Sequence, residues 1–192
     1  MDARIPRNPH VSLSGLDSAF LSLETASTPM HMMGTFVLDV SSTRGGYSFE
    51  RLLRLLEERM PGLAPFRRRL VAMPFGVDQP IWIDDPDLRI PSHVHRIEAP
   101  APGTDAVLAR LVARIAAQPL DRARPLWELR VIEGLSEGRV ALVFKMHHAV
   151  ADGVSAIQLL LQLLDSSSVE THPSGSLERA RPRRAPTSRA LL

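Results

Sequence analysis

Residues 139–156 read RVALVFKMHHAVADGVSA and contain a strand, a turn and the start of a helix. The first eight residues are almost all apolar, a pattern typical of a strand that is buried on both faces deep within a sheet. Asp152 can cap a helix N-terminus, and Gly153 permits a tight turn. We therefore expect a buried strand to end at two adjacent histidines, His147 and His148, in front of a helix.

The rest of the chain interleaves helical and strand-like segments. A short helix is predicted in SGLDSAFLSLE, and longer ones follow Ser48, an N-cap, and Thr104, which can cap a helix that ends before Pro119. The helix near Gly153 has a predicted inner stripe of Val154, Ile157, Leu160, Leu161 and Leu164. Strand-like runs are MHMMGTFVLDV, FRRRLVAM, PIWID, IPSHVHRIE and LWELRVIEG. This order predicts an α/β or α+β class with a mixed β-sheet flanked by helices.

Length and composition are those of a one-domain globular protein. The chain has 192 residues, 44% of them hydrophobic, and a formal net charge of +2, and it is long enough to bury a core. We divide it into a flexible N-terminus at 1–12, a folded lobe at 13–165 and a linker or disordered basic tail at 166–192. The tail arginines are not interleaved with aromatic residues, which argues against nucleic-acid binding.

Two absences in the sequence narrow the function classes. The chain has no cysteine, which excludes disulfides, thiolate metal sites and a cysteine nucleophile. No apolar run approaches the length of a transmembrane helix, and MDARIPRNPH has no apolar signal segment. We therefore expect a cytoplasmic protein that is either soluble or peripherally attached.

Adjacent histidines suggest a metal site, but strand geometry disfavours one. Neighbouring strand residues point to opposite faces, so His147 and His148 cannot both bind one ion while the strand continues. His93 and His95 are spaced to share a strand face, but no cysteine can complete a zinc site with them. We predict no metal in this protein.

Two interpretations of the pair stay open from the residues alone. In the structural one, Asp152 is a helix cap, Gly153 permits the turn, and His147 is a core histidine with satisfied hydrogen bonds. In the catalytic one, a histidine at the carboxyl end of a strand faces the positive end of a helix, which disfavours imidazolium and leaves a neutral general base. No serine or cysteine lies in a recognisable nucleophile elbow, so direct transfer without a covalent enzyme intermediate is the simplest chemistry.

HHAVADG, at 147–153, matches the HHxxxDG motif of the coenzyme A-dependent acyltransferase superfamily. Further segments resemble one branch of it, the bacterial wax ester synthase/diacylglycerol acyltransferase family, in the correct order and over roughly residues 12–165. These segments are LSGLDSAFLSLETASTPMHMMGTFVLD, PFRRRL, IWIDDPDLRIPSHVHRIEAPAPG and PLDRARPLWELRVIEGL. The resemblance implies a chloramphenicol acetyltransferase-like lobe.

The activity that the resemblance implies is acyl transfer from acyl-CoA to the hydroxyl of diacylglycerol or of a long-chain alcohol. His148 is then the general base, and His147 and Asp152 are supporting members of the motif. Gly153 leaves space for the acyl donor. The Pro-Leu-Trp motif, residues 125–127, shapes the substrate site. No cofactor is implied beyond acyl-CoA as co-substrate, and a lipid acceptor places the protein at the inner membrane or at lipid droplets.

Members of this family are about twice as long and have two similar lobes, with the reaction channel between them. The family's later motifs, Asn-Val-Pro-Gly-Pro and Asn-Asp, are absent here. We therefore expect an N-terminal half that needs a second lobe and has little activity alone. Two alternatives are a non-catalytic half-enzyme that binds lipid, and another HHxxxDG acyltransferase, such as a condensation domain with carrier-bound donors.

Overall fold

The computed structural model describes residues 10–43, 45–73, 79–151 and 153–164. Their elements are β1 (His10–Ser12), α1 (Gly15–Leu23), β2 (His31–Leu38), α2 (Phe49–Arg59), α3 (Ala64–Arg67), β3 (Arg68–Val71), β4 (Ile81–Asp84), β5 (Val94–Glu98), α4 (Asp105–Ala116), β6 (Trp127–Glu133), β7 (Val140–His147) and α5 (Gly153–Leu164). Single 3₁₀ turns lie at Met60–Gly62, Ile90–Ser92 and Ser136–Gly138. The interleaved helices and strands confirm the predicted mixed α/β class.

The strands form two sheets, and the larger one is mixed. Its order is β2-β7-β6-β5, with β5 and β6 parallel and the other pairs antiparallel. The smaller sheet has the order β1-β4-β3 and is antiparallel. β7 lies between two neighbours and is buried at all eight positions, which confirms the prediction of a strand deep within a sheet.

Helices cover both faces of the four-stranded sheet. Residues of α2, α3 and α5 pack with the even-numbered residues of β7 from Val140 to Met146. Residues of α4 pack with Ala141 and Val143 on the opposite face. Because neighbouring strand residues alternate between faces, β7 contributes to both cores.

Helix starts agree with the sequence, with one difference in detail. Ser48 is the N-cap of α2, and its side chain accepts a hydrogen bond from the Arg51 N–H. Thr104 is the N-cap of α4, but its side chain makes no capping bond. Its carbonyl instead accepts the N–H groups of Val107 and Leu108 at 2.8 and 3.0 Å.

The predicted inner stripe of α5 is wrong at Ile157, which is 60% exposed. Ala156 and Leu163 are buried, and Leu159 and Leu160 pack against the same core. These four positions also have helical spacing, so α5 has two apolar stripes and the sequence period could not distinguish them.

The predicted boundary at 165/166 is not tested, since 165–192, like 1–9, lie outside the described residues. Residues 10–12, which were predicted to belong to the flexible N-terminus, form β1 and pair with β4. Among the helices that are described, none is long and apolar enough to cross a membrane.

Candidate active site

His147 is the last residue of β7, and its side chain is fully buried. Its Nδ1 accepts a hydrogen bond of 3.0 Å from the backbone N–H of Ala149, so the proton of the neutral ring is on Nε2. Nε2 lies 3.5 Å from Oε1 of Glu24. Burial lowers the pKa of His147 to about 4, although Glu24 acts in the opposite direction. His147 is therefore a neutral, enclosed side chain near pH 7.

His148 follows β7 and has a different environment. Its backbone N–H donates a hydrogen bond of 2.9 Å to the carbonyl of Met30. Its ring stacks on Phe20 of α1, with 4.9 Å between ring centroids and an interplanar angle of 24°. The residue is partly exposed. Of the two histidines, His148 is the one with exposure to solvent.

Glu24, just after α1, and Arg122, before β6, form an ion pair beside the histidines. Arg122 donates to Oε2 of Glu24 through Nε at 3.0 Å and Nη2 at 2.8 Å. Nη2 also donates to the Leu21 carbonyl at 2.6 Å. On the other side of the carboxylate, Oε1 accepts the Met30 N–H at 3.1 Å. The pair thus joins α1, the start of β2 and the loop before β6.

Pro125, Leu126 and Trp127 are buried. The carbonyl of Leu126 accepts a hydrogen bond of 3.0 Å from the His147 N–H. The indole Nε1 of Trp127 donates to the Phe66 carbonyl at 2.8 Å. The motif therefore supports the end of β7 from within the protein, and its predicted part in forming the substrate site remains a prediction.

Asp152 and Gly153 are the last two residues of the motif. Asp152 lies outside the described residues. Gly153 begins α5 and is exposed, and a Cβ placed on it would have no neighbour within 4 Å. The predicted role of Gly153, to leave space for an acyl donor, remains a prediction.

The second pair of predicted histidines does not share a strand face. His93 precedes β5 and is buried, with Nδ1 2.9 Å from the Trp127 carbonyl oxygen and its ring stacked on that indole at 4.6 Å. His95 lies within β5. In the part of the chain that the structure describes, no three His, Cys, Asp or Glu side chains come together in a group that could hold a metal ion.

Sequence patterns did not single out Phe20, Glu24 or Arg122. Glu24 and Arg122 are 98 residues apart, and neither belongs to a motif with a recognised spacing. The one signal that could have found them is the family resemblance, because both lie inside segments that carry it.

Comparisons with known proteins agree with this architecture. The family model described as "Wax ester synthase/diacylglycerol acyltransferase catalytic domain" matches residues 13–191. A Mycobacterium tuberculosis protein named "Probable diacylglycerol O-acyltransferase tgs3" is 42% identical over 147 residues, which are 77% of this chain and 54% of the relative. The chain therefore spans about half the length of this relative.

Solved structures show the same fold. The wax ester synthase/diacylglycerol acyltransferase from Marinobacter aquaeolei VT8 is 32% identical, with a TM-score of 0.64 over 77% of this chain and 35% of that one. The first condensation domain of the calcium-dependent antibiotic synthetase has a TM-score of 0.65 over 80% of this chain and 36% of that one, at 19% identity, which is a likeness of fold. The family match over most of the chain shows that this protein belongs to the wax ester synthase/diacylglycerol acyltransferase family.

Proposed function

We propose that this chain is the histidine-bearing lobe of an acyl-CoA-dependent O-acyltransferase that esterifies diacylglycerol or a long-chain alcohol. The observation that carries the proposal is the environment of His148. Its backbone is held by the Met30 carbonyl and its ring by stacking on Phe20, while part of the residue stays exposed. A held, accessible imidazole suits a general base.

In the proposed reaction, His148 removes the proton of the acceptor hydroxyl. The hydroxyl oxygen attacks the thioester carbonyl carbon, an ester bond forms and the carbon–sulfur bond breaks. The proton held by His148 passes to the sulfur of the departing coenzyme A. His147 is unsuited to this step because its ring is fully buried. Asp152 and Gly153 remain proposed as loop support and acyl-donor space.

A second lobe is part of the proposal, because the chain spans 54% of its tuberculosis relative. Holding two substrates together and excluding water both need walls on more than one side. The lipid acceptor further suggests that the assembled enzyme works at a membrane or lipid-droplet surface.

The test is transfer of radiolabelled palmitate from palmitoyl-CoA to diacylglycerol or hexadecanol. It uses the purified chain alone and the chain co-expressed with the C-terminal half of the tuberculosis relative. We expect ester formation in at least the second arrangement, and a loss of about 10²–10⁴-fold in His148→Ala. The control is His95→Ala, which removes a partly buried imidazole from another strand.

Each alternative has its own outcome. Ester formation that survives His148→Ala contradicts the general-base role. Absence of transfer in both arrangements contradicts the activity and supports a non-catalytic half-enzyme. Transfer from a phosphopantetheine-carrier-bound acyl group, with none from palmitoyl-CoA, supports a condensation-type enzyme instead.

A further inference from the structure

Glu24 lies outside the HHxxxDG motif, but it lies next to His147 and binds Met30, a neighbour of His148. Its Oε1 lies 3.5 Å from Nε2 of His147 and accepts the Met30 N–H at 3.1 Å. The Met30 carbonyl in turn accepts the His148 N–H at 2.9 Å. The Glu24 carboxylate thus faces the His147 ring. It also binds the backbone of Met30, whose carbonyl binds the backbone of His148.

The helix α1 ends at the same residue, Glu24. The backbone N–H of Glu24 donates to the Phe20 carbonyl at 3.1 Å, which closes the end of the helix. Phe20 is the ring on which His148 stacks. Arg122 adds a bond to the Leu21 carbonyl in the next position of that helix. His148 is thus supported by Phe20, which stacks on its ring, and by Met30, which binds its backbone. Both supports are connected to the Glu24–Arg122 pair.

Arg122 makes this buried carboxylate possible. The Glu24 side chain is 8% exposed, and a buried charge without a partner is strongly destabilising. Burial alone would raise the pKa of Glu24, but hydrogen bonds from Arg122 and from the Met30 N–H outweigh it and hold that pKa below its usual range. Glu24 is thus ionised near neutral pH.

Charged and titratable groups around His147 come from several segments. Glu24 favours a proton on the ring, whereas Arg122, His148 and His31, which is its partner on β2, oppose one. Removal of Arg122 alone would leave the Glu24 carboxylate facing Nε2 without its main counter-ion. A change in the pair should therefore change the pKa of His147, which a purely structural contact would not do.

We propose that Glu24 and Arg122 are positioning residues of the active site, which fix α1 and the Met30 main chain beside the His147 ring and thereby set the place of the His148 imidazole. The role in catalysis rests on the proposed function, whereas the contacts themselves can be tested in this chain without turnover. A displacement of about 1 Å at a reacting group can lower a rate about 100-fold.

The first test is a titration of the full chain labelled with ¹⁵N-histidine, followed by long-range ¹H–¹⁵N correlation spectra. In Arg122→Gln we expect the pKa of His147 to rise from about 4, because one of the charges that oppose the proton is lost while the Glu24 carboxylate stays. In the double variant Glu24→Gln/Arg122→Gln this rise disappears. The matched control is Arg124→Gln, since Arg124 pairs with Asp121 and is 54% exposed.

A second measurement in the same spectra reports the His148 ring. Glu24→Gln keeps an oxygen that can accept the Met30 N–H, so we expect the His148 ring resonances to stay close to those of the wild type. Glu24→Ala removes that oxygen, and the resonances should move towards those of a free imidazole as stacking on Phe20 is lost. Unchanged titration in Arg122→Gln, or a rise that persists in the double variant, overturns the proposal even if Glu24→Ala does not fold.

The transfer assay then separates this proposal from the proposed function. With active enzyme, we expect Glu24→Ala to lower kcat about 10–100-fold with little change in KM for palmitoyl-CoA, because positioning and not binding is lost. Unchanged kcat contradicts positioning while leaving His148 as the base. If no variant, including the wild type, shows transfer, the proposed function fails and the titration still decides whether the pair holds the histidines.

Discussion

Lys145 shows how much a single residue can depend on distant parts of the chain. It is the one lysine in the sequence, and its side chain is fully buried. Nζ lies 2.6 Å from Oε1 of Glu128 and donates to the carbonyls of Ile115 and Gln118 at 3.0 and 2.7 Å. The lysine therefore donates to the carbonyls at the end of α4 and neutralises a carboxylate on β6. Lys145 itself lies in β7, two positions before His147.

We expect Lys145→Met to lower the free energy of unfolding, because Oε1 of Glu128 and two main-chain carbonyls lose their donor. A buried acceptor left without a donor costs about 1–3 kcal/mol, and Arg130 still pairs with Oε2 of Glu128. Chemical denaturation followed by circular dichroism measures the loss. The control is Arg139→Met: its partner Asp105 has a side chain that is 83% exposed, and such pairs contribute about 1 kcal/mol or less. A Lys145 variant as stable as this control would show that the buried pair is dispensable.

At the scale of elements, the loop between β5 and α4 packs tightly against the turn between β6 and β7. Gly103 has a φ of +65°, and a Cβ there would collide with the Gly134 carbonyl oxygen and lie 2.8 Å from the Leu135 Cα. The Gly103 carbonyl also accepts the N–H and hydroxyl of Ser136, both at 2.9 Å. The sequence places Gly103 next to Thr104, the predicted helix cap, but has no sign of this contact, because it is the pairing of β5 with β6 that brings the two segments together.

Gly46 provides a matched comparison for Gly103. It has a φ of +76° but open space where a Cβ would be. We expect Gly46→Ala to cost about 1–2 kcal/mol from backbone strain alone. Gly103→Ala should cost that amount and about 1–3 kcal/mol more, because the obstructing atoms are backbone. Melting temperatures and denaturation midpoints measure both, and equal losses would contradict the close packing of the two loops.

For the whole molecule, burial affects several histidines in the same direction. Burial is the largest cause that lowers the pKa of His31, His93, His95 and His147. In the unfolded chain each histidine has a pKa near 6.5. The unfolded state therefore binds more protons than the folded state below about pH 6.5. In that range the free energy of unfolding must decrease as the pH is lowered.

We expect the free energy of unfolding to decrease from pH 7 to pH 5, a window that stays above the carboxylate range. Each additional proton bound by the unfolded state contributes a slope of about 1.4 kcal/mol per pH unit. His147 has a folded-state pKa of about 4, so its contribution is still being lost at pH 5. Denaturation curves at several pH values test this, with His147→Gln as the variant that should flatten the profile. A pH-independent stability would contradict the prediction.

The local sequence predicted most of the secondary structure, although not β1 or α3, and through the resemblance it indicated the family. Apolar periodicity predicted β7 and the helices because side-chain direction repeats every two residues in strands and every 3.6 in helices. Strand alternation predicted different environments for His147 and His148; the environments do differ, but β7 ends at His147 and His148 lies in the turn that follows. The motif assigned the candidate base from seven consecutive residues.

The tertiary structure alone decided which side chains meet. Ile157 was predicted to face inward and is exposed, because α5 has two apolar stripes and packing against α2 and β7 selected one. Glu24 reaches Arg122 across 98 residues, and Lys145 reaches Gln118 across 27. Such pairs leave no periodic pattern in a single sequence, because the distance between them is set by how the elements pack and not by their separation along the chain.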